Sequence, residues 1–413
     1  MQEARTRSVL VVVSLLLIAA GGVLYLASYF YGVLLIVAGL AIYVLQRAMI
    51  VGKEGLAKEL MQWLRALAVP AAGILIAIII GAVIMAATGY DPLAAYGALF
   101  YGGFVKNWHI SLLNATPLIF TGLSVALAFK AGLFNIGAEG QYYVGAMLAT
   151  YFGVKMGLPA IISIPLIFVL SAIGSSLYNL VPAALKVRTG AHEVITTMMF
   201  AHIARYSSSI FIRALGGDPN TSTHAYVTDP ILETNWLPRF QTFLPAANYR
   251  MHVGVVIAIA VAAFVYYLLY YTKWGFEIRA VGQNPQAARV QGISPGKNIY
   301  RALLLAGCLA GLAGVNQVLG LDHKLFENLK AGYGWNGISV ALLASNHPIG
   351  VIFTAILWGS LDAGGQYMAR TVQTPNSIIE IIKGIILFLV VARYVYAFLL
   401  NRRRKAKQAK ADA

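Results

Sequence analysis

Long apolar stretches recur through nearly the whole chain and are separated by short polar loops. Windows of roughly 15–22 apolar residues are long enough to cross the hydrocarbon core of a bilayer as helices. Of the 413 residues, 59% are hydrophobic and only 11% are charged, which is too little charge to cover a soluble protein of this size. The sequence therefore predicts an all-α, polytopic membrane protein.

Twelve membrane segments are predicted from these windows, two of them short. They are Ser8–Leu26, Gly32–Leu45, Leu67–Ala87, Ile110–Phe129, Tyr142–Val154, Ala160–Leu180, Glu193–Ile212, Val253–Tyr271, Ala302–Leu321, Asn336–Ala344, Gly350–Met368 and Ile378–Leu400. Of the 31 Lys and Arg residues, 21 fall on one side of these segments and seven on the other, while Arg205, Arg213 and Lys383 fall within segments. This bias predicts two cytoplasmic termini and explains the net charge of +16 without a nucleic-acid partner.

The segments predict three regions along the chain. Residues 1–50 form a two-helix N-terminal extension, residues 51–400 form the core, and residues 401–413 form a basic cytoplasmic tail. At the start of the core, apolar residues recur at helical spacing through Lys53–Leu67. This pattern indicates an amphipathic helix that lies on the inner membrane face or packs on the protein's own loops.

The run Phe134–Gln141 (FNIGAEGQ) places Asn135, Glu139 and Gln141 between two apolar segments. The bilayer core offers no partner for a charge or a broken backbone, so this run must be buried in protein or line a watery cavity. An ionisable residue at such a place indicates function. We therefore expect a solute path lined by Asn135, Glu139 and Gln141, and a Gly-rich helix contact without a solute role is the alternative.

A second interrupted segment occurs at Gly332–Val340, where glycines precede an apolar stretch too short to cross the bilayer. Paired, Gly-broken segments in the two halves of a transporter are a sequence sign of the translocation site. Trp335 and Asn336 lie in this second segment and are candidates for the same path.

The polar loop Trp274–Ile293 contains a short predicted helix. An Asn-Pro pair supplies an N-cap followed by a residue suited to the first turn, and a glycine can end the helix. A compact polar helix of this kind suits docking to another protein, although a loop that only satisfies the positive-inside rule is the alternative. The candidate docking residues are Asn284, Pro285, Ala287, Ala288, Arg289 and Gly292.

Other motifs argue against catalysis. Gly296-Lys297 is followed by Asn298 and not by Ser or Thr, so the chain lacks a P-loop and energy must come from another subunit. His192-Glu193 begins like a zinc-protease helix, but no second His follows at the required spacing, which favours a structural role at a helix start. We expect no catalytic residue, no metal and no cofactor.

Together these stretches resemble the permease subunits of bacterial ABC importers for nucleosides or simple sugars, which are related to the ribose and branched-chain amino-acid permeases. The runs FNIGAEGQ and HEVI favour the nucleoside branch. The matching stretches are Thr88–Tyr96, Phe134–Gln141, Gly190–Ile195, Phe276–Ile293, Ala310–Gly314, Gly332–Leu343, Asn346–Gly350 and Ala363–Gly365.

The resemblance implies a type II-like importer permease core of about ten helices, in which Asn284–Gly292 is the coupling helix that sits in a groove of the ATPase. It also implies the partners: an ATP-binding ABC subunit, a second permease subunit that is commonly a diverged sibling, and an extracytoplasmic solute-binding protein or lipoprotein. The implied substrate is a nucleoside or a sugar, and the implied location is the bacterial cytoplasmic (inner) membrane.

Two questions stay open from the sequence. Lys383 in the last segment needs a partner, either Glu380 one turn away or Asp362 in the preceding segment, unless it lines a pore. A proton-coupled secondary transporter with Glu139 as the proton site is the alternative function. An intramembrane enzyme finds no support, because no nucleophile–base pair is evident.

Overall fold

The computed structural model describes residues 61, 72–215, 227–243, 250–327, 329 and 332–390. The predictions for residues 1–50 and 401–413, and all of Lys53–Leu67 except Met61, lie outside the described residues. The chain divides into two compact units. The larger unit comprises Ile78–Arg239 and Arg250–Ala392 and contains the site described below. In the smaller unit, which includes Met1–Ala77 and Phe240–Tyr249, the described residues 72–77 and 240–243 are helical.

The described chain is built from helices, and within it no β-strand is found beyond two isolated antiparallel bridges. The helices are α1 (Ala72–Ala87), α2 (Pro92–Phe100), α3 (Trp108–Lys130), α4 (Ala138–Lys155), α5 (Ala160–Tyr178), α6 (Leu180–Thr189), α7 (Glu193–Ala214), α8 (Gly254–Tyr271), α9 (Lys273–Gln283), α10 (Pro285–Val290), α11 (Pro295–Gln317), α12 (Tyr333–Leu343), α13 (Pro348–Thr371) and α14 (377–390). Shorter turns are the π-helical Tyr101–Lys106 and Val318–Asp322, the 3₁₀ turn Glu233–Asn235 and the helical turn Phe240–Phe243.

Five helical stretches of the described chain are long and apolar enough to cross a membrane: Trp108–Lys130, Ala160–Thr189, Gly254–Tyr271, Pro295–Asp322 and Pro348–Thr371. Each overlaps a predicted segment, so the all-α, multi-pass membrane class is confirmed. The two short predicted segments are also helical, but α4 and α12 begin three or more residues earlier than the apolar windows. The apolar windows excluded these first turns because they contain polar or glycine residues. The structure buries these residues in protein.

Helix α3 forms the centre of the larger unit and packs against α4, α11, α12 and α13. Of the most apolar 18-residue stretch of α3, 89% is buried, whereas only 28% of the corresponding stretch in Ala160–Thr189 is buried. A helix that is apolar on all sides either packs inside a protein or faces lipid. Helix α3 is therefore an internal helix, and α5 presents apolar side chains outward.

Close helix contacts at glycines hold α11 against its neighbours. A Cβ atom at Gly314 would overlap the carbonyl oxygen of Tyr142 in α4, and one at Gly311 would overlap the Ser175 side chain in α5. Small residues at such spacing let helix backbones approach one another in the membrane.

The segment before α8 ties two loops together through its backbone. Ile231 donates its N–H to the His323 carbonyl at 2.8 Å, and Leu237 donates to the Leu319 carbonyl at 2.9 Å. The buried Asn235 side chain donates to the Gly153 carbonyl at 2.8 Å. These bonds fix the ends of α4 and α11 relative to each other.

Ion pairs account for the charges of Lys383, which the sequence left open, and of Glu193, for which it predicted a structural role. The Lys383 ammonium in α14 contacts the carboxylates of Asp362 in α13 and Glu380, the latter at 3.1 Å, and its side chain is only 4% exposed. Glu193 at the start of α7 pairs with Lys186 at 2.8 Å. Lys383 is thus neutralised within the helix bundle and does not line a pore, and Glu193 stabilises a helix start.

Asp362→Ala should destabilise the protein strongly, by about 3–5 kcal/mol, because it leaves the Lys383 charge buried with only the exposed Glu380 beside it. The double variant Asp362→Ala/Lys383→Met should recover much of that loss. The thermal unfolding midpoint in detergent measures both effects. An Asp362→Ala midpoint equal to that of the wild type would contradict the pairing.

Candidate translocation site

The two interrupted segments meet at the carboxylate of Glu139. This residue lies in the first turn of α4, and its Oε1 accepts a hydrogen bond from the Gly332 N–H at 2.6 Å. Its Oε2 accepts one from the Gly334 N–H, also at 2.6 Å. Charge-assisted bonds of this kind are strong, and an anion is favourable at the positive end of a helix. The Glu139 carboxylate therefore caps α12 from a distant part of the chain.

The glycines of the second segment are required by this contact. Gly332 adopts a φ of 103°, in the left-handed region that residues with a Cβ atom avoid. A Cβ atom at Gly334 would overlap the backbone of Glu139. From the other side, the Thr121 hydroxyl in α3 donates to the Tyr333 carbonyl at 2.9 Å. The start of α12 is thus enclosed between α4 and the central α3.

Asn135 and Gln141 form a reciprocal pair of side-chain amides. The Asn135 Nδ2 donates to the Gln141 Oε1 at 3.0 Å, and the Gln141 Nε2 donates to the Asn135 Oδ1 at 3.2 Å. The Asn135 Oδ1 also accepts from the Gly137 N–H at 3.1 Å. Both side chains are buried. In this conformation the pair holds the turn that leads into α4 and does not face open space.

Of the five candidate path residues, Trp335 alone has an exposed side chain, with 36% of its surface accessible. Asn336 is half-buried, and its Oδ1 accepts from the Trp358 indole N–H at 3.4 Å. Glu139 is 3% exposed, and Asn135 and Gln141 are each 1% exposed. The buried polar side chains therefore support the site from the protein interior, and Trp335 is the candidate side chain that reaches the protein surface.

Two residues of α7 belong to the same face and were absent from the candidate path residues. The His202 ring lies 6.4 Å from the Trp335 ring, and its side chain is exposed. Arg205 is also exposed, and its positive charge acts on the Glu139 carboxylate. The signal in the sequence was the charge of Arg205 inside an apolar segment, since such charges face a bundle interior or a water-filled cavity.

The candidate coupling helix is present as α10. The Asn284 Oδ1 caps it by accepting from the N–H groups of Gln286 and Ala287, each at 3.0 Å, with Pro285 in the first turn. The chain turns after α10 at Gly292, which has a φ of 78°.

The side chains of α10 point in two directions. Ala287 and Arg289 are exposed, whereas Ala288 is buried. A cleft of about 500 Å³ lies between α9 and α10, lined among others by Phe276, Glu277 and Gln291. The exposed side of α10 and this cleft form a surface that another protein can contact.

Residues 108–391 match the model of a family described as "Branched-chain amino acid transport system / permease component". The match covers well over half of the chain, and the chain belongs to this permease family. It is a multi-pass membrane subunit of an ABC transport system. No solved structure matches the chain.

Two similar proteins are guanosine ABC transporter permease proteins of Bacillus subtilis. NupP is 33% identical over 342 residues, which cover 82% of this chain and 97% of NupP. NupQ is 25% identical over 280 residues, which cover 64% of this chain and 84% of NupQ. The glucose ABC transporter permease protein TsgB13 of Haloferax volcanii is 31% identical over 363 residues, which cover 85% of this chain and 94% of TsgB13.

Glu139→Gln should destabilise the protein by about 1.5–3 kcal/mol, because the amide keeps one acceptor oxygen and turns an NH₂ group toward the second backbone N–H. The thermal unfolding midpoint in detergent should fall by several degrees. Glu233→Gln is the matched control, since that carboxylate is exposed in the 3₁₀ turn and should leave the midpoint unchanged. Equal midpoints for both variants would show that the cap does not stabilise α12.

Proposed function

We propose that this chain is the non-catalytic transmembrane subunit of an ATP-driven importer that moves nucleosides inward, with related simple sugars as the neighbouring substrate class. One observation carries the proposal. Two Gly-broken segments from the two halves of the permease meet at Glu139, on the face where Trp335, His202 and Arg205 are exposed. Such paired breaks place a translocation site in other transporter folds.

The exposed face has the chemistry that a nucleoside needs. The Trp335 indole offers a flat apolar surface on which a base can stack. The Arg205 guanidinium and the His202 ring can hydrogen-bond to sugar hydroxyls and to base edges. Glu139, Asn135 and Gln141 belong to the pathway as the groups that hold this face, and Asn336 lies beside Trp335. A few polar groups on an apolar surface give weak binding, which suits passage.

The guanosine permeases NupP and NupQ support a nucleoside as the substrate, and TsgB13 supports a sugar as the second class. A nucleoside contains both a sugar and a base. The exposed Trp335 favours the nucleoside because stacking needs a flat ring.

Transport would be driven through α10. The chain lacks a P-loop, so a partner ATP-binding ABC subunit would hydrolyse ATP. Asn284, Pro285 and Gly292 fix the ends of α10, and its Ala287 and Arg289 side chains would meet a groove of that subunit. Ala288 is buried and would hold α10 against the permease.

The remaining partners follow from the same proposal. An exposed Arg205 within a membrane helix cannot face lipid at low cost, so a second permease subunit would cover this face across the pore. The two B. subtilis relatives support a diverged sibling for that role. A solute-binding protein or lipoprotein would deliver the substrate from outside. The protein would lie in the cytoplasmic (inner) membrane with both termini inside, and residues 1–50 would be an extension of the core.

The rival function, proton-coupled transport with Glu139 as the proton site, fits the geometry less well. Both carboxylate oxygens of Glu139 already accept a backbone N–H. Protonation would remove the negative charge that strengthens both bonds and would make the protonated oxygen a poorer acceptor, so the cap on α12 would weaken.

Uptake of radiolabelled guanosine by proteoliposomes of the whole transporter should require ATP and should be insensitive to a proton ionophore. Arg289→Glu should lower ATP-driven uptake at least tenfold, because it reverses a charge on the exposed side of α10. Arg188→Glu is the matched control on the same proposed side of the membrane and should transport normally. Uptake that follows a proton gradient without ATP would overturn the proposal.

Trp335→Leu and Arg205→Gln should each lower guanosine uptake by about tenfold, which corresponds to roughly 1.4 kcal/mol, since each removes one contact of an exposed side chain. Both variants should keep the wild-type unfolding midpoint, because neither side chain is buried. Ile203→Ala is the control and should transport normally, because Ile203 is exposed on the side of α7 away from Arg205, about 160° around the helix. Unchanged uptake in both test variants would place the solute path on another face.

A further inference from the structure

Two cationic side chains lie on neighbouring helices where α9 runs against the end of α3. A Cβ atom at Gly282 in α9 would overlap the carbonyl oxygen of Lys130, the last residue of α3. Arg279 lies one turn earlier on α9, and its charge acts on the Lys130 ammonium. Neither cation forms an ion pair within the part of the chain that the structure describes. Like charges held together in this way leave a strong local positive potential.

Aromatic rings lie beside this pair of cations. The Arg279 guanidinium lies 5.0 Å from the centre of the Tyr270 ring. Its Nε is buried and has no hydrogen-bond partner among the described residues. The Tyr270 ring lies 5.7 Å from the His347 ring, and Tyr266 lies 5.5 Å from it. Lys130, Arg279 and His347 are called the cationic cluster below, and all three are half-buried.

His347 adds a donor and a helix end to the cluster. Its Nδ1 accepts from the Gly350 N–H at 3.4 Å, so the neutral ring carries its proton on Nε2. Burial and the Lys130 charge lower the pKa of His347, which keeps the ring in this neutral form near pH 7. His347 is the N-cap of the long helix α13, whose positive end favours an anion. The two preceding residues, Ser345 and Asn346, adopt φ values of 54° and 57° in the turn that presents the ring.

The cluster lies beside the cleft of α9 and α10. At 100° per residue, Gly282 lies on the side of α9 opposite Ala280, which lines the cleft, whereas Arg279 lies only about 40° from the cleft-lining Gln283. The cluster is therefore adjacent to the surface proposed for the ATPase, and the test below has to separate a lipid from a protein contact.

The neighbouring surface is typical of a membrane interface. Tyr267, Tyr271 and Trp274 are exposed at the end of α8 and the start of α9. The Tyr267 and Tyr271 rings stack with their centres 5.8 Å apart. Exposed Tyr and Trp side chains collect at the headgroup level of a bilayer, where basic residues also attract anionic lipids.

We propose that the cationic cluster binds the phosphate of an anionic phospholipid from the cytoplasmic leaflet. The leaflet assignment rests on the orientation given under the proposed function. The phosphate accepts hydrogen bonds from the Arg279 guanidinium, the Lys130 ammonium and the His347 Nε2–H, and it neutralises the two adjacent charges. Because α9 leads directly into α10, a bound lipid also fixes the helix that carries the coupling surface.

The test is lipid binding to the purified full-length chain by native mass spectrometry after delipidation. Phosphatidylglycerol should bind the wild type at least tenfold more tightly than phosphatidylcholine. Lys130→Gln/Arg279→Gln should lose this preference, and Lys130→Arg/Arg279→Lys should keep it because both charges remain. Arg188→Gln/Lys297→Gln removes two exposed charges elsewhere on the same proposed side and should bind as the wild type does. Equal elution volumes in gel filtration will show that all variants are folded.

The other outcomes overturn the proposal. Equal phosphatidylglycerol binding by the wild type and Lys130→Gln/Arg279→Gln would show that the cluster holds no lipid. Displacement of the lipid by millimolar inorganic phosphate, with equally tight phosphate binding, would assign the site to a free anion. Loss of ATPase copurification without a change in lipid binding would make the cluster a protein contact. None of these measurements uses uptake, so a failure here is separate from a failure of the importer function.

Discussion

The hydrogen bonds of one buried carboxylate determine how the two halves of the permease fit together. Within a bilayer every backbone N–H at a helix break must find a partner in the protein, because lipid offers none. The Glu139 carboxylate satisfies two such groups at the start of α12, Gly332 and Gly334. It can do so because glycine at position 334 lets the two backbones touch. The chain breaks at the starts of α4 and α12 therefore support each other.

This arrangement separates the groups that build the site from the groups that face the solute. Asn135 and Gln141 satisfy each other, and Glu139 satisfies α12, so none of the three has a polar group left open to solvent in this conformation. Buried polar networks of this kind are rigid when every member is paired. The network therefore gives the exposed Trp335 side chain a rigid support.

The sequence predicted the features that depend on neighbours along the chain. Apolar windows located the membrane helices, and the Asn-Pro pair located the start of α10, since both signals are local. The contact between Glu139 and Gly332 joins residues 193 positions apart, and no periodicity reports such a pairing. The inward direction of Ala288 and the outward direction of Arg205 depend in the same way on tertiary packing. The glycines around both breaks were the available hint, because glycine at a helix start indicates close approach of another backbone.

Three ionisable residues in helices of the permease differ in what accommodates their charge. Lys383 is buried against two carboxylates, and Glu139 is buried against two backbone amides. Arg205 is exposed and forms no ion pair among the described residues, although the Glu139 charge attracts it. A guanidinium on a lipid-facing surface would be costly. The exposure of Arg205 therefore supports the proposal that water, a solute or another subunit covers this face of α7, and Trp335 lies near the same face through its contact with His202.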